Sequence, residues 1–495
     1  MLTPRRGPFL YFAPCSGARG AVRRGLQVAQ SGHGSARRAA LVGLLLCLWV
    51  LLAWGWVLET GLWGWDVYPL IAAGRVDGLG GVAATFGDEL MDGRYPLGRY
   101  WRPLVHLSFG LDHALFGLDP VGFHLTDLAL LAANVLALAA LARRWISERA
   151  ALVAAVVFGG NLVHADVLAV PARRADSLAL LFTLLALASV FARRRWFAAL
   201  AVAAALASKE SGAIAVLVAS GAAFALAEGD GRERWRQALR AAWPAWCAFA
   251  LTLGIRTWAL GGLGGSREAQ VSAAWSDALA SLARYVPAAF APTQVRLLGS
   301  AGLSCAVALA LVLLLAVLAR RDARRTLVPF ALWFAALASL TAISRAERGW
   351  YELPFVALNG LFAAALFEQA FARAGAARVL AVPVLAWALA SLMPWRAAAP
   401  ELVAAGESAR VYLGQVESAV RSASAGSAVR APGLPLELRD PQPWLDGRER
   451  TFAVLAPYSV AAFVELAFPG RAVRVVPPAP PSLPDSSEIV LVLER

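Results

Sequence analysis

The sequence predicts an all-α polytopic membrane protein of about 11 transmembrane helices, carrying a small α/β appendage at its C-terminal end. Three observations predict this class. Hydrophobic residues make up 59% of the chain and the mean hydropathy is +0.60, beyond what a soluble globular domain tolerates. Apolar runs of membrane-spanning length recur along the chain. The arginines behind the net charge of +13 gather in clusters between those runs, a pattern that sets orientation in a bilayer and makes nucleic-acid binding a poor reading.

Taken in order, residues 1–40 form a basic arm rich in arginine, glycine and serine, assigned to the cytoplasm. The apolar run 41–58 follows with no small-residue cleavage site at its end, so it is read as an uncleaved first helix. Further spans are expected at 121–142, 150–164, 175–192, 196–208, 211–227, 241–259, 297–319, 326–343, 353–371 and 379–394. The basic clusters, such as Arg193-Arg194-Arg195 and Arg320-Arg321, alternate with even numbers of crossings, and 23 of the 46 lysines and arginines fall in the segments this places inside. The N-terminus is then cytoplasmic and everything after Trp395 is outside, so the transmembrane domain runs over 41–394 with a first external loop at about 59–120. Residues 395–495 begin helix-like (401–422), pass through a proline-rich stretch and end on the strand pattern Ile489-Val490-Leu491-Val492-Leu493. Three of the four cysteines lie in apolar runs, so no disulfide framework is legible.

The segment 195–228 departs from the rest. Both ends are assigned inside, yet each arm has only about 12 to 17 residues, roughly 18 to 25 Å of helix against about 30 Å of hydrocarbon. A broken hairpin follows, with its apex Ser208-Lys209-Glu210-Ser211-Gly212 below the outer surface, where irregular backbone persists only if buried in protein or lining a cavity. Lys209 is the only lysine in the chain. An ammonium kept where burial is costly marks either a functional cation or the partner of an ion pair with Glu210.

Other chemistry-bearing residues fall in segments assigned to the external face. Asp66, just past the first helix, is a carboxylate that could serve as general base beside a cation. Arg99-Tyr100-Trp101-Arg102-Pro103 pairs guanidiniums with aromatics, suited either to an interfacial belt or to an anionic head group. Asn161 to Asp166, with His164, and Arg173-Arg174-Ala175-Asp176 combine His, Asp and Arg at two helix ends. They could form a closed polar network or part of a site. Arg345, Glu347, Arg348 and Tyr351 make another charged and aromatic cluster, which could simply anchor helix ends. No phosphate-binding loop, dinucleotide fingerprint, Cys/His metal spacing or nucleophile elbow is present.

Read together, these segments resemble a known family. Tyr100-Trp101-Arg102-Pro103-Leu104, then the run from Leu111 to Leu125 with Asp112, Gly117, Asp119, Pro120, Gly122 and His124, resemble the end of the first loop and the second helix of the membrane-integral tetratricopeptide-repeat O-mannosyltransferases and their bacterial relatives. Val163-His164-Ala165-Asp166, Arg174-Ala175-Asp176, Ser208-Lys209-Glu210 and Glu347-Arg348-Gly349-Trp350-Tyr351-Glu352-Leu353-Pro354 continue the likeness in order. The resemblance implies the C-type (GT-C) glycosyltransferase architecture, with an extracytoplasmic active site and a polyprenyl-phosphate-linked sugar donor. It makes Asp66 the catalytic base, and Lys209, Arg174, Arg102 and Arg348 the residues that hold the donor phosphate. His164, Asp166, Asp176, Glu210 and Tyr351 support them. The family's usual pair of adjacent acids is Asp66-Val67 here, its His-Pro is Asn161-Leu162, and its repeats are replaced by the short tail. A lone acid suffices for base catalysis and weakens the case for a divalent metal, which stays an option with no metal ligand named.

The expectation is an inverting glycosyltransferase of the bacterial inner membrane, moving one sugar from a polyprenyl-phosphate carrier to a periplasmic acceptor (protein, glycan or lipid). Two other classes stay open: a transporter or flippase for lipid-linked sugars, and a non-catalytic relative that binds polyprenyl phosphate.

Overall fold

A computed structural model describes residues 37–95, 98–266, 333, 353–372, 399–424, 428–431, 438–439, 451–452, 454–469, 473–476 and 489–493. The expected spans 297–319 and 379–394, and all of 326–343 but Trp333, lie outside the described residues. Met1–Trp49 forms one compact unit and Val50–Arg495 another.

The described chain is mostly helical: α1 (Arg37–Glu59), α2 (Val67–Gly74), α3 (Gly78–Ala84), α4 (Pro103–Phe116), α5 (Pro120–Ala142), α6 (Glu148–Gly159), α7 (Val163–Ala169), α8 (Arg174–Phe191), α9 (Arg195–Ser208), α10 (Ile214–Leu226), α11 (Gly231–Leu260) and α12 (Leu353–Ala372), then α13 (Ala399–Ser422) and α14 (Pro457–Ala467). Among these residues four helices are long and apolar enough to cross a membrane, α1, α5, α11 and the run Pro171–Phe191 that contains α8. The count becomes five if α6 and α7 form one bent span.

Local chemistry sets the boundaries. Asp119 accepts from the Val121 amide at 3.0 Å with Pro120 in the first turn of α5, and Asp230 accepts from Glu233 N at 2.9 Å to start α11, both ordinary N-caps. Gly261, at φ 62°, ends α11 in the left-handed conformation that a glycine adopts without cost. The expected straight span 150–164 is instead a pair of helices bent by 59°. Asn161 in the break accepts from Val163 N at 3.0 Å, a tight turn leading into the second helix, so the stretch read as a loop carries His164 and Asp166 on α7.

The hairpin is broken as its arm lengths require. Helices α9 and α10 have 14 and 13 residues, and between them Lys209 is fully extended at φ −162°, ψ 152° before a 3-10 turn, Glu210–Ala213. Gly212 closes the apex against α9, where an added Cβ would lie 2.1 Å from the Ala205 carbonyl oxygen. Helix α8 packs on α5, α9 and α10, and α11 on α9 and α10. Backbone contact also joins α2 to α4, since a Cβ on Gly110 would lie 1.9 Å from Gly74 O.

Beyond α13 the tail adds β3 (Ala428–Ala431), β4 (Leu438–Arg439), β5 (Thr451–Phe452), β6 (Val473–Val476) and β7 (Ile489–Leu493). The terminal strand β7 is central in an antiparallel sheet of order β3-β7-β6, with Ala428 opposite Val492 and Val473 opposite Leu493. Its sequence Ile-Val-Leu-Val-Leu is apolar throughout, as suits a central strand. A short ladder pairs β1 (Gly98–Arg99) with β2 (Gly265–Ser266), tying the end of the first loop to the segment after α11.

Candidate active site

Asp66 occupies the N-cap position of α2, but its side chain caps no amide. It accepts instead a 2.8 Å hydrogen bond from the Tyr458 hydroxyl on α14. The turn that delivers it depends on Gly64, whose φ of 110° is closed to most side chains and whose added Cβ would strike Val170. Burial pushes the Asp66 carboxyl above its ordinary value, and the Tyr458 bond and the positive charges of Arg102 and Arg173 oppose that rise. The carboxyl is thus a stronger base than a solvated aspartate, with two guanidiniums within electrostatic reach.

The cations converge from four segments. Arg102, on the residue before α4, bonds Glu210 at 2.7 Å through Nη2 and lies over the Tyr100 ring at 4.9 Å. Arg256 of α11 reaches the other Glu210 oxygen at 3.4 Å and donates to Leu263 O at 2.8 Å. Lys209 sits within electrostatic reach of Arg102, and its Nζ bonds Asp176 of α8 at 2.5 Å. Of the two readings left open for Lys209, its ion partner is Asp176 and not the adjacent Glu210, which pairs with Arg102 and Arg256. Extended backbone at Lys209 sends consecutive side chains to opposite sides, one toward α8 and the other toward α4 and α11. Arg173 donates to Asp166 O at 2.9 Å and lies 3.4 Å from its carboxylate, and its field reaches Asp66.

Arg174 does not face this cluster. Its side chain is fully buried, held by Asp112 and Asp127 at 2.6 Å each, by Phe123 O at 3.0 Å, and stacked over Phe109 at 4.6 Å. Two carboxylates commit its charge, so it bolts α4, α5 and α8 together and is withdrawn from the phosphate set. Adjacent residues on a helical turn point about 100° apart, which is why Arg173 meets the site and Arg174 meets the core. His164 is also structural. Its ring bonds Phe158 O at 2.9 Å through Nε2 and meets Phe158 and Trp54 edge-on, stapling the bend between α6 and α7.

Arg348 and Tyr351 lie outside the described residues. Among the described residues no group of three or more His, Cys, Asp or Glu side chains is placed to hold a metal ion. Two residues of this cluster, Arg256 and Tyr458, are not singled out by the sequence. Arg256 carried a signal, as the one charged residue in the apolar run 241–259. Arg173 is named by the sequence, but nothing local distinguishes it from Arg174. Tyr458 had none, lying 392 residues from Asp66.

No family model matches the chain, and no curated protein matches it. Among solved structures, the chain is similar to the crystal structure of ArnT from Cupriavidus metallidurans bound to undecaprenyl phosphate. The match has 19% identity, covers 79% of this chain and 73% of that one, and has a TM-score of 0.39.

Proposed function

We propose that this chain is an inverting glycosyltransferase of the bacterial inner membrane, taking a sugar from a polyprenyl-phosphate carrier to a hydroxyl acceptor on the periplasmic side. The observation that carries the reading is one base-strengthened carboxylate in a field of several cations: Asp66 lies within electrostatic reach of Arg102 and Arg173, Lys209 within electrostatic reach of Arg102, and Arg102 shares Glu210 with Arg256. The sequence resemblance described above points to the same reaction class.

In the proposed step Asp66 takes the acceptor hydroxyl proton as the oxygen attacks the anomeric carbon from the face opposite the phosphate. The bond between that carbon and the phosphate oxygen breaks, and the electron pair leaves with polyprenyl phosphate. Arg102, Lys209 and Arg256, together with Arg348, would hold the leaving anion. Such fixed donors are worth most where charge develops in a site that excludes water. Asp176 and Asp166 position Lys209 and Arg173, and Glu210 spaces the two guanidiniums. This reading gives divalent metal no residue and no step.

The test is turnover of a synthetic polyprenyl-phosphate sugar by the purified chain in proteoliposomes. Sugar released to water or transferred to an added acceptor supports the reading. Movement of intact donor between leaflets with no release would make the chain a transporter, and saturable binding without either would make it a carrier-lipid binder.

A further inference from the structure

We propose that Tyr458 is a positioning residue for Asp66, so that the C-terminal part of the chain completes the active site and is no mere appendage; this rests on the glycosyltransferase reading of Asp66. The hydroxyl of Tyr458 donates to Asp66 Oδ1 at 2.8 Å. That contact is one of several between α14 with its approach and the turn that carries Asp66. Ser459 Oγ donates to the carbonyls of Gly64 and Trp65, Gly64 N donates to Val454 O at 3.0 Å, the rings of Tyr68 and Phe463 meet edge-on at 5.3 Å, and Arg94 pairs with Glu465 at 2.9 Å. The tail therefore grips the residues on both sides of Asp66, and Tyr458 makes its bond to the carboxylate from inside that grip.

The phenol does two things for a base. It fixes the carboxylate in one orientation, leaving the second oxygen to meet the acceptor, and it favours the ionised form, which is the only form that can take a proton. The charged and titratable groups that face the pair are Arg102 and Arg173 toward Asp66, and Tyr95 toward Tyr458. Burial and the negative Asp66 keep the phenol itself protonated far above neutral pH, so it acts as a donor and not as a second base.

The test follows Asp66 directly and through turnover, in the full chain. Infrared titration of the carboxyl, isolated by subtracting Asp66→Asn from the same background, is compared in wild type, Tyr458→Phe and Phe463→Leu, beside the pH profile of donor turnover. Tyr458→Phe should move the Asp66 titration, and the acid limb of the profile, to higher pH by about one unit, with KM for donor within about twofold. Incorporating 3-fluorotyrosine at position 458, a stronger donor of the same shape, should move both to lower pH. Phe463→Leu loosens the same helix without touching the phenol and should lower Tm while leaving the titration in place. An Asp66 titration unmoved by both changes at position 458, or moved as far by Phe463→Leu, would overturn the proposal. If wild type shows no turnover, the glycosyltransferase reading falls, while the infrared shift still decides whether Tyr458 governs Asp66.

Discussion

Arg102 and Glu210 are joined by a 2.7 Å ion pair between residues 108 positions apart, and the acid in that pair is the immediate neighbour of Lys209. An intramolecular carboxylate thus occupies the guanidinium proposed to meet the donor phosphate, with Arg256 on its other oxygen. Each guanidinium has five N–H donors, so phosphate and carboxylate can share the pair, but they compete for its charge.

That competition makes an unusual prediction. Glu210→Gln should strengthen donor binding, by about tenfold if half the charge is released, while lowering Tm because Arg102 and Arg256 then face each other without an anion. Donor titration and thermal unfolding of the same preparation check it. Weaker donor binding in the folded variant would place the phosphate elsewhere.

For Lys209 the structure names Asp176 as the partner to test. Lys209→Met should cost about 3 to 5 kcal/mol, the usual price of stranding a buried charge, and adding Asp176→Asn should recover most of it. Donor affinity should stay low in both variants if the ammonium also meets phosphate. Recovery of affinity along with stability would reduce Lys209 to a structural role.

How much of this was legible follows from the range of each interaction. Spans with strong hydropathy and local caps, such as α5 with Asp119 and Pro120, are written in contiguous residues and appear where expected. The hairpin was legible because two arms of about 12 to 17 residues cannot each cross about 30 Å of hydrocarbon, so the backbone has to break between them. The bend at Asn161 was not, because a short polar stretch reads equally as a loop or a tight turn. Ion partners were the least legible. Lys209 chose Asp176 over the adjacent Glu210, and Arg174 found Asp112 and Asp127, because these choices depend on how α4, α5 and α8 pack, which no local pattern encodes.

His106 supplies a pH test of the first loop. It is buried, and its Nε2 accepts from the Met91 amide at 2.9 Å, at a residue whose φ of 57° is left-handed. Burial and the nearby Arg102 lower its pKa from 6.5 to about 4. The unfolded chain therefore takes up this proton first, so the stability that the neutral ring contributes is present above pH 6.5 and is lost as pH falls toward 4, up to roughly 3 kcal/mol. His106→Gln keeps an acceptor and should unfold with a shallower pH dependence in that window. Equal dependence in both proteins would contradict the assignment.

Orientation is tested separately. A reporter active only in the periplasm should give signal when fused after Arg495 and none when inserted at Asp230, in the segment assigned to the cytoplasm. The reverse result would put Asp66 on the wrong side for a polyprenyl-phosphate sugar presented outside.

The rate of sugar transfer or release by Asp66→Asn tests most directly whether Asp66 is the base. The amide preserves size and can still accept from Tyr458, but it cannot take a proton. Turnover should fall by about 10²- to 10⁴-fold with donor binding retained, while the wild-type profile should lose activity below an acid limb lying above the ordinary carboxylate value of 3.8, because burial raises this group. Asp66→Asn turning over within about tenfold of wild type would contradict the account.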